Sequence, residues 1–94
     1  MTPGEIPGGC KPALPRGVRL RRDETRGEWM LLAPERVVRA DPIAVKILER
    51  CDGGQTLDEI VDSLAAMFTA DRARIDTDVR ALLARLAQSK MVTL

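Results

Sequence analysis

The sequence predicts an α+β domain, a three-stranded antiparallel sheet followed by three helices, in a winged-helix-like order. Three observations carry this prediction. Residues 18–40 hold three short apolar or alternating segments separated by turn residues. The pair Asp41-Pro42 then marks a change of periodicity. From Ile43 to Leu86 apolar residues recur at helical spacing, interrupted around Gly53-Gly54 and around Asp71. Strands followed by helices, rather than alternating with them, is the α+β pattern.

The first strand is read from Val18 and Leu20 alternating with Arg19 and Arg21, the period-two signature of a half-buried strand. Residues 23–27 (DETRG) form a turn in which Gly27 can take positive φ. Trp29 to Leu32 is apolar on both faces and is placed centrally. Pro34-Glu35 turns the chain into a short third strand, Val37–Ala40. Links this short favour a meander, which leaves the first and third strands as edges. Three strands alone are marginal, so the helices must cover one face.

Asp41 before Pro42 suits a helix start, because the residue preceding proline is held extended and an aspartate there accepts orphan amide bonds. Ile43, Ala44, Ile47, Leu48 and Cys51 fall on one face of the first helix, and Gly53 is placed at its end. Thr56 and Glu59 have the form of a capping box opening the second helix, whose stripe is Leu57, Ile60, Val61, Leu64 and Phe68. Asp71 is positioned to cap the third, with the stripe Ile75, Val79, Leu82, Leu83 and Leu86. Met91–Leu94 is apolar enough to pack or pair as a short strand.

Length and composition bound the rest. Ninety-four residues suit one domain. Residues 1–15 hold four of the six prolines and three of the seven glycines, which predicts a flexible N-terminal arm; residues 16–94 form the folding unit. A body that small buries only ~60% of its unfolded surface, enough for one core and not for a deep substrate cavity. Charge is segregated. Residues 16–39 carry seven arginines against four carboxylates, and residues 41–78 carry nine carboxylates against four bases.

Several function classes are disfavoured. The chain has no His and no Tyr, removing the commonest general base and metal ligand. Cys51 sits on an apolar helix face and reads as a small buried hydrophobe; Cys10 lies in the arm. Two isolated thiols fit neither a metal spacing nor a disulfide framework, so no catalytic residue, metal or cofactor is assigned. A reducing, cytoplasmic setting is expected, since residues 1–15 also lack the apolar core of a signal peptide and no run approaches the ~20 residues of a membrane span. Asp58, Glu59 and Asp62 are explained by the dipole of the helix they open. Nucleic-acid binding is disfavoured because Asp71, Asp76 and Asp78 would face phosphates and only Trp29 and Phe68 are aromatic.

The remaining candidate is the third strand. An edge strand presents unpaired amides and carbonyls that can accept a peptide as an added strand, with Arg36 and Arg39 beside it. The plainer alternative is an edge merely protected by those arginines.

The run LLAPERVVRADPIAVKILERCDGGQTLDEIVDSLAAMF, with IDTDVRALLARL after it, resembles the PqqD family of pyrroloquinoline quinone biosynthesis. The matching features are the L-x-P-E turn (Leu32, Pro34, Glu35), Ile47-Leu48 before Asp52-Gly53, the T-x-x-E-I-V start (Thr56, Glu59, Ile60, Val61), and Asp78-Val79. Their order and spacing carry the resemblance, which covers residues 16–94. It implies a non-catalytic chaperone that binds a PqqA-like precursor peptide as an added strand and presents it to a PqqE-like radical-SAM enzyme, which cross-links a Glu and a Tyr of that peptide. On this chain the implied groove is Arg36, Val37, Val38, Arg39 and Ala40 with Arg80, Leu83 and Arg85 of the third helix. The family pattern leads one to expect a glycine at the Ser89-Lys90 turn, and it does not account for the Pro/Gly arm. Two other readings stay open: a winged-helix-like nucleic-acid binder, and an oligomerisation module forming a homodimer by exchange of the edge strand or the arm.

Overall fold

The computed structural model describes residues 2–94. Strands β1 (Arg19–Asp23), β2 (Glu28–Ala33) and β3 (Arg36–Ala40) form an antiparallel sheet in the order β1-β2-β3. Gly27 closes the first turn with a φ of +68°, and its N–H donates to the Asp23 carbonyl at 2.7 Å. Leu31 pairs with Leu20 on one side and Val38 on the other, and Leu31 is fully buried. Since side chains alternate along a strand, these three define the core-facing side. Met30 and Leu32 therefore point to the opposite, uncovered face among Arg19, Arg21, Val37 and Arg39. That is why they are only half-buried, although the strand is apolar on both faces.

Helices α1 (Pro42–Leu48), α2 (Leu57–Phe68) and α3 (Arg72–Gln88) follow. Asp41 caps α1 by accepting the Ala44 N–H at 2.7 Å. Thr56 and Glu59 form the reciprocal capping box of α2, with bonds of 3.1 and 2.9 Å. Asp71 caps α3, accepting from the Ala73 N–H at 3.1 Å. α1 ends at Leu48, earlier than the Gly53 expected from sequence. Gly53 has a φ of +80° in the α1–α2 connection, where its N–H donates to the Pro12 carbonyl at 3.0 Å. α2 ends instead on Thr69, a left-handed residue without the glycine that would have signalled it. Phe68, placed in the α2 stripe from spacing, is the last residue of that helix and is 42% exposed.

Residues 2–15 depart most from expectation. They are not a detached arm. Pro3–Glu5 makes a 3-10 turn beside α3, Ile6 is 2% exposed within the core, and Pro12 is fully buried. The carbonyls of Cys10 and Gly8 accept the N–H groups of Leu57 and Asp58 at 2.8 and 3.0 Å, amides that a helix start otherwise leaves unpartnered. Ala13 exchanges two backbone bonds with Thr93, of 2.9 and 2.8 Å, and bridges Asp52 as well. The C-terminal tetrapeptide thus pairs, as its composition suggested, but with the N-terminal segment. Burying one Ile stabilises by about 1.5–3 kcal/mol. Prolines also lose little chain entropy on ordering, so a Pro-rich segment is held by few contacts.

Candidate functional site

β3 lies at the sheet edge, so the polar backbone groups on its outer side are unpaired within the sheet. Its side chains alternate: Val38 and Ala40 pack toward the core, while Val37 is 63% exposed and the Arg39 side chain 75%. Arg39 reaches Glu28 on the neighbouring strand at 3.5 Å, an exposed pair of little energetic weight. Arg36 is exposed at the start of the strand.

Beside this edge the helices form a trough. One depression lies between α1 and α3, lined by Asp41, Ile43, Ala44 and Ile47 on one side and Asp78, Ala81, Leu82 and Arg85 on the other. At the opposite end of β3, Glu35 and Arg36 line a second depression with Ser89, Lys90 and Met91, just past the end of α3. α3 therefore runs opposite in direction to β3, its middle level with Asp41 and its end level with Arg36. The side of α3 facing this trough carries both apolar groups and an arginine.

The residues expected from sequence divide into two groups. Arg36, Val37, Val38, Arg39, Ala40 and Arg85 lie along the edge and the trough. Leu83 does not; it is 0% exposed in the core, in line with Ile75 and Val79 at four-residue spacing. Arg80 does not either. Its guanidinium pairs with Asp76 at 3.0 Å and donates to the Ile6 carbonyl, on the side of α3 covered by the N-terminal segment. Leu82, one position from Leu83, takes the trough position. Helical spacing contains this signal, because Ile75, Val79 and Leu83 form the buried row and Leu82 lies 100° from it. Ile43, assigned to the buried face of α1, is 51% exposed and lines the trough.

Reactive chemistry is weak here. Burial pushes the Cys51 thiol up to about 12, with Asp52 and Cys10 adding to the rise, and its Sγ donates to the Ile47 carbonyl at 3.3 Å. Burial also raises Cys10, partly offset by the positive charge of Arg80. Neither is a ready thiolate nucleophile. Among the described residues no three His, Cys, Asp or Glu side chains converge as a metal site, and no helix is long and apolar enough to cross a membrane.

Residues 28–92 match the family described as coenzyme PQQ synthesis protein D, PqqD. The chain belongs to the PqqD family. A PqqA binding protein of Rhodopseudomonas palustris (strain BisB5) is 54% identical over 83 residues, covering 88% of this chain and 81% of that protein. One from Xanthomonas oryzae pv. oryzae is 50% identical over 84 residues, covering 89% and 91%. The solution NMR structure of the PqqD truncation of Methylobacterium extorquens PqqCD matches over 100% of both chains, with a TM-score of 0.83 at 42% identity. That protein is described as a functional, stand-alone ribosomally synthesized and post-translational modified (RiPP) recognition element. The crystal structure of PqqD from Xanthomonas campestris matches 95% of this chain and 99% of its own, with a TM-score of 0.61 at 47% identity. The sheet followed by three helices is thus the PqqD arrangement, and these relatives point to a non-catalytic protein.

Proposed function

We propose that this chain binds a PqqA-like precursor peptide as a fourth strand beside β3 and presents it to a PqqE-like radical-SAM enzyme in the cytoplasm, performing no chemistry itself. The observation that carries the reading is the open edge of β3, with the α1–α3 trough beginning at Asp41 just past its end. The names of the PqqA binding relatives support the choice of ligand. Arg36, Val37, Val38, Arg39 and Ala40 supply the edge, and Leu82 and Arg85, with Ile43, supply the opposing wall.

Magnitudes set the division of labour. A net backbone hydrogen bond is worth about 0.5–1.5 kcal/mol, so the few bonds a five-residue strand offers give only about 3–5 kcal/mol. Alone that corresponds to a dissociation constant of roughly millimolar. Side-chain contacts in the trough must supply both affinity and selectivity.

Titration with PqqA-like peptide, followed by backbone amide shifts, tests the reading. Shifts are expected along Arg36–Ala40 and at Leu82 and Arg85; silence there at saturating peptide would remove the groove assignment. Arg39→Glu is expected to weaken binding more than Arg22→Glu, whereas equal effects would indicate a diffuse charge contribution. A pull-down of the enzyme with and without peptide tests presentation separately. A second copy could occupy the same edge, as Val37's exposure favours, and light scattering over a dilution series would then show a dimer that peptide dissociates.

A further inference from the structure

The sole tryptophan of the chain occupies an unusual place. The pairs Trp29↔Ala40 and Leu31↔Val38, with Leu31 buried, put Trp29 and Ala40 on the core-facing side of the sheet. Ala33, Val38 and Ala40 on that side pack against the core cluster, but Trp29 is not part of the packing and stays half-buried at the end of the ladder. Trp29 lines an open recess with Gly27, Ala40 and Pro42, while Glu28, Arg39 and Asp41 line the rest. Nothing polar in the chain bonds to the indole N–H among the described hydrogen bonds, so the ring serves as apolar surface.

We infer that this recess is the anchor pocket of the added strand, taking a bulky apolar side chain from the peptide residue that pairs with Ala40. The inference rests on strand addition at β3. On a strand laid beside β3, the residue opposite Ala40 carries its side chain on the same face, with Cβ atoms ~4.5–5.5 Å apart. Ala40 has only a methyl group, so a larger side chain from the added strand passes over it onto the indole. A bulky residue at position 40 would close that path. The peptide residue two positions along pairs with Val38 and carries its side chain on the same core-facing side. The residue between them points to the other face, beside the exposed Arg39, which favours a carboxylate. The recognised ligand is therefore an extended segment with apolar side chains at alternate positions and an acidic or polar residue between. A one-residue slip would reverse every side chain, so the anchor also fixes register.

Because the chain has one Trp, its emission reports this recess directly. The probe is a PqqA-like precursor peptide with any tryptophan replaced by phenylalanine. The expected result is a blue shift of Trp29 emission on titration, saturating together with the β3 amide shifts. Trp29→Ala, and separately Ala40→Phe, are expected to weaken binding of the same peptide at least tenfold while β3 still titrates. If either variant fails to fold, the unmodified protein's emission decides. Unchanged emission at saturation while β3 amides move would overturn the anchor and leave strand addition standing. If neither emission nor β3 amides respond, strand addition itself falls and the anchor with it.

Discussion

Arg80 donates from its guanidinium to the main-chain carbonyl of Ile6, a partner 74 residues away in sequence. This contact joins the N-terminal segment to α3 and removes Arg80 from the trough. Hydrogen bonds to charged groups are worth about 1.5–3 kcal/mol. Arg80→Ala is therefore expected to lower stability by about 1.5 kcal/mol and to speed proteolysis of residues 2–15, with peptide affinity unchanged. Arg85→Glu should do the reverse, weakening peptide binding at unchanged melting temperature. Denaturant melts paired with peptide titrations check both.

The α2 capping box gives a prediction with a pH signature. Thr56→Ala should cost about 1 kcal/mol in chemical denaturation. The bonds from the Thr56 backbone and hydroxyl side hold the Glu59 carboxyl below the usual glutamate range. A depressed carboxyl stabilises the fold above its unfolded pKa and loses that contribution as pH falls through its folded value. Glu59→Gln should accordingly flatten the acid side of the melting-temperature profile and leave the neutral side shifted by a constant amount.

How much of this was legible in the sequence depends on where the determining partner lies. The caps at Asp41, Thr56 and Asp71 were readable, because each acts on amides within three residues of itself. So was the edge position of β3, which follows from short connections. The packed N-terminal segment was not, because its partners, the amides of Leu57 and Asp58 and the backbone of Thr93, are remote in sequence and composition carries no trace of them. Leu83 and Leu82 are adjacent leucines with opposite fates, and only the phase of the buried row on α3 separates them. Trp29 belongs to the segment placed centrally from its apolar content, and that content does not reveal that Trp29, at the end of the ladder, stays outside the core cluster.

Lys90 is a left-handed residue, with a φ of +60°, at the turn where a glycine was expected. The Lys90 and Met91 amides donate to the Ala87 and Leu86 carbonyls at 3.0 and 2.8 Å, the paired closure of a Schellman motif. A side chain in that conformation costs roughly 1–2 kcal/mol, partly offset by glycine's greater freedom when unfolded. Lys90→Gly should stabilise by about 0.5–1 kcal/mol, read as a raised denaturation midpoint with unchanged slope.

Cys51 should resist thiol reagents at pH 8 until the protein unfolds, while the half-exposed Cys10 reacts first. The Cys51 thiol is raised to about 12, so its contribution to stability is fully present below the ordinary thiol range and is lost as pH climbs from there toward about 12. Mass spectrometry after timed alkylation separates the two sites, and Cys51→Ala should remove part of the alkaline loss.

Strand addition at β3 is decided by amide hydrogen exchange with and without PqqA-like peptide. In the free protein the β3 amides not bonded to β2 face solvent and should exchange rapidly. At saturating peptide those same amides should become protected, while the β1 edge keeps its free rate. Unchanged exchange along Arg36–Ala40 with peptide demonstrably bound would contradict strand addition.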